Sequence, residues 1–311
     1  MITLSEFGKH HCSTHRSGWP FVREALSQIP EHGFLDDFCE ASHVYVGNGK
    51  VETRPWVGII HHPSVIDSPL VGDMRNSVMR SLGCSRSFKA SCSNGSLRGI
   101  IALSEELADY LRHWPVLNNV PVRSLLHPTD LNVQSWSMHA WVNAGYYLHQ
   151  LGFFLRDTQA IYKCTVDKNF KLSRSSPDHI RWAKLRDKKL VRTNMRLPKV
   201  EQVPRLAPHD YDELMSTRVI CTHLFGASAN NVVVECLARA TPLVVNPLPP
   251  VVQYLGKDYP LYSKSPERWH EVLSVENILD AHTYLLEHRA NSPWLDSSVF
   301  ARDVAKFMSA C

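Results

Sequence analysis

The stretch of this sequence best suited to chemistry runs from His223 to Glu235, His-Leu-Phe-Gly-Ala-Ser-Ala-Asn-Asn-Val-Val-Val-Glu. Ser228, Asn230 and Asn231 stand where a helix is expected to begin, just after an apolar strand-like run over 219–222. Small polar side chains cap such a start, and the backbone N–H groups exposed there make a seat for phosphate. Glu235 falls one to two turns into that helix. The next apolar run, 242–246, ends in the amide of Asn246, expected to point into the same crevice.

Histidine supplies further candidates. His61 and His62 follow the apolar run 56–60, at the carboxyl end of a predicted strand. His10, His11, Cys12 and His15 crowd one loop, where imidazole and thiolate suit zinc. Neighbouring ligands in a loop give poor geometry and no second ligand group is evident, so no metal is expected. At the end of that loop, Ser17 and Gly18 are read as the place where backbone approaches a ligand.

Holding these residues requires strand ends and helix starts. The apolar pattern supplies both, alternating short buried-strand runs with amphipathic helical stretches, which argues for an α/β chain with mainly parallel sheets. In the first half, strands are expected at 1–4, 56–60, 99–103 and 122–126, with helices at 17–29 and 105–113, the latter N-capped by Ser104. The polar stretch 127–137, carrying Pro128, is the expected linker. Beyond it, strands are expected within 146–155 and at 200–203, 219–222 and 242–246. Helices are expected at 209–215, 230–239, 275–288 and 297–308, with a helical turn at 251–255. This pattern gives two Rossmann-like domains facing across a cleft, with ligands at the carboxyl ends of the strands.

Composition narrows the function classes. The 311 residues are 44% hydrophobic and 21% charged, which excludes disordered, collagen-like and coiled-coil chains. No apolar run approaches the ~18–20 residues of a membrane span, and the N-terminus lacks a basic start followed by an apolar stretch. The eight cysteines are irregularly spaced, so reduced thiols and a cytoplasmic location are expected, with Cys221 and Cys236 buried. There is no Gly-x-Gly-x-x-Gly, phosphate-loop or Gly-x-Ser-x-Gly motif, which argues against dinucleotide oxidoreductases, NTPases and α/β-hydrolases. Asp36-Asp37, Asp210 and Asp212 read as loop and helix-cap carboxylates.

Net charge is only +4, yet eleven Lys/Arg lie between Lys168 and Lys199 against Asp178 and Asp187. A solvated helix face and loop is the plain reading. A basic groove for a nucleotide, an anionic acceptor or nucleic acid is the sharper one.

The segment Glu235-Cys-Leu-Ala-Arg-Ala-Thr-Pro-Leu-Val-Val resembles the donor-site helix and strand of nucleotide-sugar glycosyltransferases of the GT-B fold, in particular retaining members of the family 4-like group. The resemblance continues through Asn246-Pro-Leu-Pro-Pro-Val-Val-Gln-Tyr-Leu-Gly256 to Tyr262, and covers Ile100-Ile-Ala-Leu-Ser-Glu-Glu-Leu-Ala-Asp-Tyr-Leu111. It implies an acceptor-binding domain at 1–132, a nucleotide-sugar-binding domain at 133–285, and C-terminal helices at 286–311 that cross back onto the first domain. The implied reaction moves a sugar from a nucleotide-diphosphate sugar to a glycan, lipid, small-molecule or nucleic-acid acceptor, with retention. No metal and no cofactor beyond that co-substrate are implied.

Carried over by the resemblance, Glu235 would hold the ribose hydroxyls, assisted by Ser228, Asn230, Asn231 and Asn246. Gly152-Phe-Phe-Leu-Arg156 resembles the family's Gly-Arg strand end, and Arg156 with Lys163 would neutralise the departing diphosphate. His61 would face sugar or acceptor, and Ser17, Gly18 and His62 would line the acceptor or phosphate loop. One position departs from the pattern: where retaining members carry a second glutamate, this chain has Ala227, and Gln253 stands where an acid is common. A catalytically silent nucleotide- or sugar-binding module therefore stays open as an alternative, as does a nucleic-acid-binding or nucleic-acid-modifying protein using the basic 168–199 segment.

Overall fold

The computed structural model describes residues 2–7, 18–30, 33–47, 49–68, 75–178, 181, 183–185, 187 and 197–311. The chain divides into two compact units. The first comprises Met1–Leu131, Gly226–Val234 and Ser292–Cys311; the second comprises Asn132–Phe225 and Glu235–Asn291.

The first unit is built on five parallel strands in spatial order β1-β2-β3-β4-β5: Ile2–Leu4, Gly33–Asp36, Trp56–Ile60, Leu97–Ala102 and Val122–Ser124. Both faces of this sheet are covered, which is why β3 and β4 read as nearly unbroken apolar runs. Val57, Ile59, Ile101 and Leu103 meet Trp19, Val22 and Leu26 of α1 (Trp19–Ser27) and Phe300 and Val304 of the C-terminal helix Ser297–Ala310. The alternate residues Trp56, Ile60, Ile100 and Ala102 meet Phe88 of α2 (Arg86–Ser93) and Leu107 and Leu111 of α3 (Glu105–Arg112). Ser104 caps α3 by accepting from Leu107 N, as expected from the sequence, and Ser85 caps α2 in the same way through Phe88 N.

Helix α2 and strand β2 lie outside the sequence expectation. Helix α2 buries Ser87 and Ser91 beside Phe88, so its inward face carries no apolar period to read. Strand β2 is only Gly-Phe-Leu-Asp. The carboxylates at its end are not loop caps: Asp36, its last residue, and Asp37, the next, are buried, Asp36 accepting from Ser42 and Asp37 from Arg23 and Trp19.

The second unit carries β6 Tyr147–Gln150, β7 Lys171–Ser175, β8 Val200–Val203, β9 Val219–Cys221 and β10 Leu243–Val244, all parallel, in order β10-β9-β6-β7-β8. Around them lie α4 Met138–Ala144, α5 Ala160–Lys163, α6 Pro208–Thr217, α7 Asn231–Arg239, α8 Pro249–Leu255 and α9 Val275–Ala290, with α10 being Ser297–Ala310 of the first unit. The chain enters at the central β6, builds outward through β7 and β8, then returns to the other side of β6 as β9. Strand order therefore reverses between β6 and β9, and the loops leaving those two strands diverge there.

Part of the basic run is corrected by this sheet. Lys171–Ser175 is neither helix face nor loop but β7, hydrogen-bonded between β6 and β8. Arg174 is buried, pairs with Asp187, and donates to Thr158 O at 2.9 Å and Gln202 Oε1 at 3.0 Å. A cation spent in this way is unavailable to an outside polyanion. Cys221 and Cys236 are fully buried thiols, as expected. Among the described residues no helix is long and apolar enough to cross a membrane.

Candidate functional site

The reversal point of the second sheet is held by a lacing of loop backbone. After β6 the chain turns at Gly152, with φ +82°, and Leu155, with φ +53°, before reaching Arg156. Arg156 forms an antiparallel bridge with Leu224, just beyond β9, and flanking bonds run from Asp157 N to His223 O (2.8 Å) and from Phe225 N to Leu155 O (2.9 Å). The Gln150 side chain braces the same loop, donating to Asp157 O and accepting from Ile161 N, both at 2.8 Å.

Within this frame the Arg156 guanidinium lies directly against Gly152 Cα: a Cβ at residue 152 would collide with Arg156 Nη1. The positive φ favours glycine there, and a side chain would push the guanidinium aside. Arg156 is 8% exposed; burial lowers its pKa to about 10, opposed by the nearby Tyr211, Glu235 and Cys236. It therefore keeps its charge at neutral pH in a poorly solvated place. Lys163, at the end of α5, is half-exposed and pairs with Asp157 Oδ2 at 2.5 Å.

Glu235 is buried, 3% exposed, and its Oε2 accepts from the Tyr211 hydroxyl of α6. Arg239, one turn on, is fully buried and turns to Asp212 Oδ1 at 2.6 Å, so Glu235 is not the exposed partner of an i+4 ion pair. Asn246 is placed differently from the expectation. Its Oδ1 accepts from Leu224 N (2.7 Å) and its Nδ2 donates to Leu224 O (2.9 Å), so the amide pins the β9 loop to the end of β10. The Thr222 hydroxyl, at the carboxyl end of β9, is buried and makes no hydrogen bond among the described residues.

Helix α7 begins in the Gly226–Val234 segment, grouped with the first unit. Asn230 caps it: Oδ1 accepts from Val232 N at 3.1 Å, and its carbonyl takes Val234 N. One first-turn donor is thereby used by the chain's own side chain, and the helical pattern provides no carbonyl to the amides of Asn231 and Val233. The Ser228 Oγ is buried and makes no hydrogen bond among the described residues. Ala227 is buried as well.

In the first unit the structure separates the paired histidines. Ser81 Oγ gives its proton to Ser77 O, so toward His62 it accepts from Nδ1 (2.8 Å), and Nε2 of His62 is hydrogen-bonded to Tyr45 OH (2.5 Å). His62 is thus buried and held through both ring nitrogens by hydroxyls of the fold. His61 is half-buried, packs between Trp19 and Phe38, and donates from Nε2 to Asp37 O at 3.0 Å. Both histidine amides donate to Glu40 Oε1, at 2.9 and 2.7 Å. Glu40 is wholly buried and burial raises its pKa to about 7. Gly18 is the residue before α1, and it caps that helix without a side chain. Ser17, His10, His11, Cys12 and His15 lie outside the described residues.

Sequence reasoning passed over Tyr211, which donates to Glu235, and Glu40, which takes the His61 and His62 amides. For Glu40 there was a signal: acids at 36, 37 and 40 interrupt an apolar stretch, and charges in such surroundings are buried only when paired or neutralised. For Tyr211 there was none, since its partner is 24 residues away.

No family model matches the chain, and no curated protein does. Solved structures do. It is similar to HepE of Anabaena, crystallised with UDP-glucose, at 12% identity over 83% of this chain and 73% of that one, with a TM-score of 0.61. It is similar to sucrose-phosphate synthase from Thermosynechococcus elongatus at 14% identity, covering 93% and 77%, with a TM-score of 0.65. Trehalose-6-phosphate synthase, OtsA, aligns at 9% identity over 92% and 75%, with a TM-score of 0.59. At such identities the likeness establishes the architecture: this chain has the GT-B fold, an α/β chain of two Rossmann-like units.

Proposed function

We propose that this protein transfers a sugar from a nucleotide-diphosphate sugar to an acceptor, without a metal ion and with retention at the anomeric carbon. The observation that carries the reading is Arg156: a buried guanidinium held over Gly152 beside Glu235, where strand order reverses in the second sheet. A cation already stripped of water and fixed in place stabilises charge that develops on a departing diphosphate without having to reorganise. Lys163, paired with Asp157, the residue next to Arg156, is the second cation, and the amides of Asn231 and Val233 are the neutral donors. Glu235, its Oε2 held by Tyr211, accepts from ribose hydroxyls. Asn246 acts by holding Leu224, and His61 with Gly18 serves the acceptor.

HepE, whose structures hold UDP-glucose and UDP, supports the donor class. Retention rests on the glutamate-bearing helix, and Ala227 favours a second reading, a module that binds the donor without turning it over.

The test is a melting-temperature screen with UDP, GDP and ADP and their glucose conjugates, followed by proton NMR of the donor. A ligand at 100 times its Kd adds about 2.7 kcal/mol of stability. One nucleotide series should raise the melting temperature by several degrees, and its sugar conjugate should lose sugar with retained configuration. No stabilisation at millimolar ligand contradicts the transfer reading. Stabilisation without sugar release selects the binding module.

A further inference from the structure

Two neighbouring residues of α6 grip two residues of α7 one turn apart. Asp212 takes the buried Arg239 at 2.6 Å, and the Tyr211 hydroxyl donates to Glu235 Oε2. The first contact fixes the helices against each other. The second fixes a carboxylate. Burial and the adjacent Glu235 charge push the Tyr211 pKa well above its ordinary value, so the hydroxyl remains a donor at every working pH.

We propose that Tyr211 is a positioning residue that orients the Glu235 carboxylate to accept a vicinal diol, making ribonucleotide recognition depend on the tyrosine hydroxyl. This rests on the donor reading above. A carboxylate offers about four lone-pair positions, and one hydroxyl spends one of them. What the bond removes is rotation. A carboxylate free to turn about its last bond presents two acceptors to a diol only part of the time, whereas one anchored at Oε2 keeps a constant face. Glu235 is 3% exposed, so water cannot substitute efficiently for the lost donor.

The experiment titrates UDP, GDP and ADP, each beside its 2′-deoxy counterpart, into the full chain by calorimetry. The wild type should bind the preferred ribonucleotide roughly 10-fold or more tighter than the deoxynucleotide, the scale of one hydrogen bond to a charged group. In Tyr211→Phe that ratio should fall below about 3-fold while deoxynucleotide affinity holds. Glu235→Gln should compress the ratio similarly, and adding Tyr211→Phe to it should change nothing further, the non-additivity of residues acting as a unit. Tyr211→Met provides a second variant without the hydroxyl should Tyr211→Phe not fold. A general loosening of the site lowers both affinities together and leaves the ratio intact. A wild-type ratio preserved in a folded Tyr211 variant, or no ribose preference in a wild type that binds diphosphates, overturns the role of Tyr211 alone. A wild type that binds no diphosphate overturns the donor reading and this inference with it.

Discussion

At the scale of single residues, the site depends on Gly152 as much as on Arg156. A Cβ at 152 would occupy the guanidinium's place, and φ of +82° is unfavourable for any L side chain. Gly152→Ala should therefore cost more than about 1 kcal/mol of stability in urea unfolding. It should also weaken diphosphate binding at least as much as removing Arg156 does, measured by calorimetry. An alanine variant that melts and binds like the wild type would show that Arg156 does not need its present position. A residue's task was legible in the sequence where a local pattern carried it, as with the Ser104 cap. It was not legible where tertiary structure supplies the partner. His61 and His62 are adjacent and chemically alike; only the arrival of Tyr45 and Ser81 makes His62 structural.

At the scale of elements, the buried strands β3, β4 and β9 announce themselves because parallel sheets covered on both faces need nearly continuous apolar runs. β7 was hidden because Arg174 sits inside the sheet with its own acid, and α2 because serines form its inward face. The end of β10 was legible as a strand terminus, but the task of Asn246 was not, since both of its polar atoms answer Leu224, 22 residues away. Asn246→Ala leaves Leu224 N and O without those partners in a buried place. It should cost about 1–3 kcal/mol of stability and loosen the Arg156–Leu224 bridge. Faster amide hydrogen exchange at 223–225 and 155–157 would be the sign of this. Unchanged exchange in those segments would mean that the bridge stands without the amide.

At the scale of the whole molecule, the two units carry buried titratable groups of opposite sense. Burial raises Glu40 from 4.5 to about 7 and Asp37 from 3.8 to about 6, despite Arg23 and Trp19. The folded first unit therefore holds protons that the unfolded chain has released, and its stability falls as pH rises from about 4.5 to about 7. In the second unit burial lowers His149 from 6.5 to about 3, so there the unfolded chain holds the extra proton and stability falls as pH drops below about 6.5. Acidification from pH 8 to pH 5 should raise the melting of the first unit and lower that of the second in calorimetry, and Glu40→Gln should flatten the first response. Parallel shifts would contradict these assignments. The central claim, that a buried guanidinium in the second unit serves a diphosphate, is tested most directly by titrating UDP, GDP and ADP against their monophosphates, with wild type and Arg156→Gln. The expected result is a preference for one diphosphate of roughly 10- to 100-fold in the wild type, collapsing in the variant while monophosphate affinity stays. Equal affinity for mono- and diphosphate in the wild type, or a preference that survives loss of the arginine, would contradict it.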